Sequence, residues 1–208
     1  RVNVGKPGVV HRETIRKRGE SEGIFERELG EKRHFGRVKL LLEPRARGEG
    51  TEIVCRLAEG MAVPEELLTA TEEGINEALQ SGVIAGYPVI DVRVLILEVM
   101  LKEGESTALG CRIAASSAIR EGCLKAEPVL LEPIMLVDVM TPTEFMGEVI
   151  GDINARRGEV QAIVPKGLVS EIKAKVPLKA MFGYSTDIRS ATQGRAVFTM
   201  QFFSYDTP

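Results

Sequence analysis

Val129-Leu130-Leu131-Glu132-Pro133-Ile134-Met135-Leu136-Val137-Asp138-Val139-Met140 alternates as a strand, and Thr141-Pro142-Thr143-Glu144 follows it directly. Period-two patterning over this length predicts a half-buried strand. Thr141 then reads as a helix N-cap, Pro142 as the first helical position and Glu144 as the acidic partner three residues on. The helix is expected to run to about Arg156 and to stop at Gly158. Beyond it, residues 159–164 read as a strand, Pro165-Lys166-Gly167 as a turn and 169–176 as the returning strand. A second helix is expected over about 177–191, closed by Gln193-Gly194. In the last strand, 195–205, Val197, Thr199, Gln201 and Phe203 alternate with Ala196, Phe198, Met200 and Phe202. The order β-α-β-β-α-β is the split, ferredoxin-like plan.

Working back from this stretch, a boundary falls near Glu127-Pro128 and a second pattern precedes it. Residues 13–43 read as extended chain with turns, and Phe35-Gly36-Arg37-Val38-Lys39-Leu40-Leu41-Leu42 is a strand. Residues 45–51, with Gly48 and Gly50, form a hairpin-like polar turn before a strand at 52–57. Pro64 opens a helix whose first turn holds Glu65 and Glu66, where the helix dipole favours them. Leu67, Leu68, Ala70, Ile75, Ala78 and Leu79 recur at helical spacing, and Ser81-Gly82 ends the helix. A buried strand over 88–100 and a helix over 107–125, with Leu109, Ile113, Ala114, Ala118 and Ile119 on one side, complete the segment. The class is α+β, with two domains at 1–127 and 128–208.

Charge is segregated along the chain. Residues 1–48 hold thirteen Lys and Arg against seven Glu, whereas 49–127 hold six basic against fourteen acidic residues. Such a chain can present a basic end to phosphate while its net charge is −3. A solvated surface with local salt bridges is the other reading. No apolar run is long enough to span a membrane. Arg1-Val2-Asn3-Val4-Gly5 resembles neither a signal peptide nor a start at Met, so the chain is expected to begin inside a longer one. Cys55, Cys111 and Cys123 form no metal or disulfide spacing and are expected to be small buried hydrophobes in a reducing cytoplasm.

Motifs for chemistry on nucleotides or esters are missing. Gly5-Lys6-Pro7 is too short for a phosphate loop, and Pro7 lacks an amide that such a loop would use. Gly183-Tyr184-Ser185-Thr186-Asp187 begins like a nucleophile elbow but lacks its second Gly. Glu65-Glu66 and Glu72-Glu73 lie on an amphipathic helix and read as solvated face.

Several longer strings carry a resemblance. Val4-Gly5-Lys6-Pro7 with Arg12-Glu13-Thr14-Ile15, and later Ala85-Gly86-Tyr87-Pro88-Val89-Ile90-Asp91, are similar to domain IV of bacterial elongation factor G. Leu130-Leu131-Glu132-Pro133-Ile134-Met135 resembles the passage into that family's last domain. Residues 147–158, Met181-Phe182-Gly183-Tyr184, Arg189-Ser190 and Gln193-Gly194-Arg195 resemble the body of that domain. The match is collinear over essentially the whole chain.

The resemblance implies a βαβ-type domain IV of ribosomal-protein-like fold, followed by a ferredoxin-like domain V. It implies a cytoplasmic, monomeric, ribosome-binding part of a translational GTPase that acts in tRNA and mRNA translocation. The implied partners are rRNA, tRNA at the decoding region and ribosomal proteins at the factor-binding centre. GTP and Mg²⁺ would belong to the parent protein and no cofactor to this chain, which would be no enzyme. Two tip loops of domain IV are the implied rRNA and tRNA contacts: Gly30, Glu31, Lys32, Arg33 and His34 in the first, Lys102 and Glu103 in the second. The first loop departs from the family's glycine-rich run, and Lys102 stands where the second usually has His. A specialised paralogue for ribosome recycling or protection fits these departures; a free-standing ferredoxin-like binding module is the alternative of another class. In domain V, Arg156, Arg157 and Tyr184 are candidate rRNA contacts. The two arginines also end a helix, where the dipole alone favours cations.

Overall fold

A computed structural model describes residues 10–207; the Val4–Pro7 string lies outside them. Of these, residues 12–130 form one compact unit, and 10–11 with 131–207 form another.

In the first unit, β1 (Arg12–Ile15) lies beside Pro88–Ile90, with Glu13 N–H donating to Pro88 O and Ile90 N–H to Glu13 O. It also pairs with β6 (Pro128–Pro142), whose first residues belong to this unit. β2 (Gly19–Leu29) and β3 (Lys32–Pro44) form a long antiparallel hairpin. β4 (Glu52–Cys55) is followed by α1 (Glu65–Leu79), β5 (Val92–Met100) and α2 (Ala108–Lys125). The sheet order is β2-β3-β5-β4, and β4 runs parallel to β5, so β4-α1-β5 is the βαβ unit. Loop 45–51 is therefore not a hairpin, because β3 and β4 both flank β5 rather than each other. Asp91 organises this loop instead, accepting Gly50 N–H at 2.9 Å and pairing with Arg47 at 3.2 Å.

The buried face of this sheet, Val38, Leu40, Leu42, Val94 and Ile96, packs on Ile75 and Leu79 of α1 and Ala114, Ala118 and Ile119 of α2. Helix α2 turns Gly110, Cys111, Ala114, Ala115, Ala118, Gly122 and Cys123 inward. Leu109 and Ile113, expected there, are only half-buried. Small residues win that face because the sheet lies very close: a Cβ on Gly36 would sit 2.1 Å from Gly110 O, and one on Gly23 1.8 Å from Ala114 O. Cys111 and Cys123 are buried as expected, and burial pushes the Cys123 thiol up to about 11. Cys55, contrary to expectation, is exposed at the end of β4.

The second unit follows the βαββαβ plan. β6 leads to α3 (Met146–Ala155), β7 (Glu159–Lys166), β8 (Val169–Pro177), α4 (Tyr184–Ala191) and β9 (Val197–Asp206). β6 is central, with β9 on one side and β8 then β7 on the other. Val137, Val139, Ile172, Ala174 and Val176 cover Val149, Ile153 and Ile188 of the two helices.

Two expectations here are corrected. The Thr141 cap does not form: Thr141 is buried within β6, a short 3-10 turn at Thr143–Phe145 intervenes, and α3 starts at Met146 without a side-chain cap. The helix expected over 177–191 is two pieces, a 3-10 turn at Leu178–Ala180 and α4, parted where Gly183 turns to φ 76. No helix among the described residues is long and apolar enough to cross a membrane.

Candidate nucleic-acid interface

The β2–β3 hairpin is closed by two residues, Gly30 and Glu31, with Leu29 facing Lys32. Gly30 has φ 67 in the first central position, where a tight hairpin takes Gly. The expected first loop is thus mostly strand: Lys32, Arg33 and His34 open β3, and only Gly30 and Glu31 turn. Because β3 pairs with β5 through Arg37 and Met100, the chain leaving β5 runs back along the hairpin. There Phe35 N–H donates to Glu105 O at 2.8 Å, and Thr107 N–H to Phe35 O at 3.2 Å. His34 Nδ1 lies 2.9 Å from Thr107 Oγ1, which also accepts Gly110 N–H and so caps α2.

Lys102 reaches across this junction. Its ammonium lies 2.9 Å from Glu26 Oε1 and 3.0 Å from Glu105 Oε2, and 5.5 Å from the centre of the Phe35 ring. Arg33 pairs with the same carboxylates, at 2.8 Å from Glu26 and 3.5 Å from Glu105. Hydrogen bonds from Lys102 and Arg33 hold the Glu26 carboxyl below its ordinary value, and the Glu26 and Glu105 carboxylates raise Lys102. Lys102, Arg33 and the hairpin therefore form one zwitterionic clasp between the two tip segments. The end of the hairpin is not a bare cationic surface. Lys32 alone of the three expected cations makes no ion pair among the described residues; its neighbour Glu31 and, in the second segment, Glu103 are exposed carboxylates.

Glu26 and Glu105 were missed by sequence reasoning. Glu26 faces Phe35 in the register, and Arg33, which faces Glu28, bonds it diagonally. Once the turn at Gly30-Glu31 is known, counting back from it brings Glu26 beside Arg33. Five more cations of residues 1–48 are paired similarly, in Arg18–Glu43, Arg37–Glu22, Lys39–Glu20, Arg45–Glu49 and Arg47–Asp91.

In the second unit the three candidates separate. Arg156 is consumed structurally: it donates to Ala180 O at 2.6 Å, bonds Asp152 at 2.9 Å, also pairs with Asp187, and lies over the Tyr184 ring at 5.0 Å. Tyr184 is 2% exposed and edge-on to Phe198, and burial raises its phenol to about 12. Neither side chain can meet RNA without unpacking α3 from α4. Arg157 is exposed, in the left-handed region at φ 61, and makes no ion pair among the described residues.

Residues 7–127 match the family described as elongation factor G, domain IV, and residues 129–207 match the elongation factor G C-terminus. The chain belongs to the elongation factor G family. Elongation factor G 2 of Syntrophus aciditrophicus (strain SB) is 66% identical over 205 residues, covering 99% of this chain and 30% of that protein. A crystal structure from Thermus thermophilus superposes with a TM-score of 0.88 at 35% identity, over 97% of this chain and 30% of that one. The chain thus carries the C-terminal part of an elongation factor G and spans under a third of the length of these relatives.

Proposed function

We propose that this chain is the ribosome-binding end of its parent factor, acting in tRNA and mRNA translocation. The clasped tip of the first unit meets RNA at the decoding region of the small subunit, and the second unit meets large-subunit rRNA and ribosomal proteins at the factor-binding centre. GTP and Mg²⁺ are held elsewhere in the parent, which works in the cytoplasm, and this portion is neither an enzyme nor an oligomer. The observation that carries the reading is the far end of the β2–β3 hairpin, where backbone bonds at Phe35, with Lys102 and Arg33 across them, join two segments into one probe. A stiff probe keeps its geometry when pushed between RNA strands, and its exposed residues, Gly30, Glu31, Lys32 and Glu103, are free to touch them. Competition tests it: the 208-residue chain should displace labelled full-length elongation factor G from ribosomes, and failure to compete at any concentration would remove the reading.

The departure at Lys102 favours a second reading, a factor specialised for recycling or protection. In the full-length protein, Lys102→His should raise the translocation rate at unchanged GTP hydrolysis if the parent translocates. It should leave that rate unmoved if the tip serves another step.

A further inference from the structure

The two faces of the β2–β3 hairpin differ in charge at its far end. Side chains alternate across a strand, so Glu26, Glu28, Arg33 and Phe35 share the open face. Phe25, Arg27, Leu29, Lys32 and His34 share the other, the face that α2 covers further down at Gly23 and Gly36. The open face neutralises itself in the clasp of Glu26, Arg33, Glu105 and Lys102. On the helix side neither Arg27 nor Lys32 makes an ion pair among the described residues, and both are exposed. Helix α2 begins only at Ala108, with Gly110 against Gly36, so it leaves the hairpin bare past His34.

The basic groups of this face keep their donors free. Arg27 lies over the Phe25 ring at 5.7 Å, which occupies the flat of the guanidinium and leaves its in-plane N–H groups unused. His34 faces Arg27 across the ladder. Thr107 Oγ1 lies 2.9 Å from His34 Nδ1 and already accepts Gly110 N–H, so the hydroxyl proton goes to Nδ1 and the ring proton to Nε2. That Nε2–H has no partner among the described residues and is open to solvent. Lys32, two residues from His34 on the same strand, stands about 7 Å further along the face. Glu28 belongs to the opposite face, and Glu31 to the turn.

We infer that this helix-side face, rather than the clasp, takes the phosphates of an RNA strand. Arg27 and His34 Nε2–H hold one phosphate, and Lys32 holds the next. Such contacts position RNA without reading its sequence, so the face holds RNA of any sequence. A protein partner is disfavoured, because an end two strands wide cannot bury the roughly 800 Å² per side of a stable protein interface. The inference rests on the ribosome-binding reading and names the face and the chemistry by which the tip meets RNA, Arg27 included.

Salt dependence separates the two faces. When the 208-residue chain competes for ribosomes over a range of KCl, each phosphate contact adds about one to the slope of log affinity against log salt. Arg27→Gln and Lys32→Gln should each lower that slope by about one, and the double variant by about two. Arg33→Gln, from the clasp, should lower it less than either. Slopes unmoved by Arg27→Gln and Lys32→Gln, or a larger fall with Arg33→Gln, would overturn the inference while competition by the native chain upholds the proposed function. A second arm uses no ribosome. In NMR at low salt, octauridylate should shift the amides of Arg27 and Lys32 and the His34 Nε2–H resonance, and a hexaglutamate peptide should bind more weakly. Those shifts from a chain that never competes for ribosomes would sink the proposed function alone. No shifts, or tighter binding of hexaglutamate, would sink the phosphate-binding face.

Discussion

Lys102 shows how one side chain sets the character of the tip. Both of its partners are surface carboxylates, so the ion pairs stabilise weakly and add to the backbone hydrogen bonds at Phe35 that place the loop after β5. The pH window follows from the shifts. Glu26, held below its ordinary 4.5, contributes fully above that value and loses its contribution as pH falls through its lowered one. Lys102, raised above 10.5, contributes fully below that value and loses its contribution as pH rises through its raised one. The clasp is therefore closed around neutrality. Removing the ammonium in Lys102→Ala should move the Glu26 titration midpoint up toward 4.5 by NMR, and an unmoved midpoint would show that no clasp exists in solution. The reversal Lys102→Glu should weaken ribosome binding, with the wild-type advantage shrinking as salt is added. Equal affinities at low salt would leave the tip without an electrostatic role. Glu13 is the structural counterpart, a carboxylate 1% exposed that accepts Ile84, Ala85 and Tyr87 N–H at 2.8–3.0 Å. Glu13→Ala orphans three amides and should cost on the order of 3 kcal/mol in urea unfolding; a loss within error would mean that water replaces the carboxylate.

At the scale of elements, α2 and the β2–β3 hairpin meet through glycines on both sides. Gly36→Ala would drive a Cβ into the backbone at Gly110, which cannot rotate away. Overpacking of this kind costs about 1–3 kcal/mol, so the unfolding midpoint of the first unit should fall measurably; an unchanged midpoint would mean that the helix rides further from the sheet. This seam also marks where sequence reading runs out. The alternation in 129–140 is legible because β6 has one face on the helices and one outside, so period two is written into it. The inner face of α2 is not, because close approach selects Gly, Ala and Cys over the larger Leu109 and Ile113. The capping signal at Thr141 misleads because β6 continues through it, pairing Thr141 with Ser170. At the tip, the candidate residues were legible from the family pattern. The clasp was not, because Glu26 and Glu105 meet Lys102 only after three segments fold together.

For the whole molecule, the division near Pro128 should make two separately cooperative halves. Residues 128–208 alone should give a dispersed NMR spectrum, and a collapsed one would mean that the halves share a core. Calorimetric titration with GTP and Mg²⁺ should show no micromolar site on the 208-residue chain, since neither half contains a phosphate loop; a saturable isotherm would place nucleotide chemistry here. The central claim is that the end of the β2–β3 hairpin reaches the decoding region while the second unit stays at the large subunit. Directed hydroxyl-radical probing tests it most directly, with Cys55→Ala removing the exposed thiol, Cys111 and Cys123 buried, and an iron chelate tethered through Glu31→Cys or, separately, Arg157→Cys. The account predicts small-subunit rRNA cuts near the decoding centre from position 31 and large-subunit cuts alone from position 157. Cuts confined to the large subunit from both positions, or none from position 31, would contradict it.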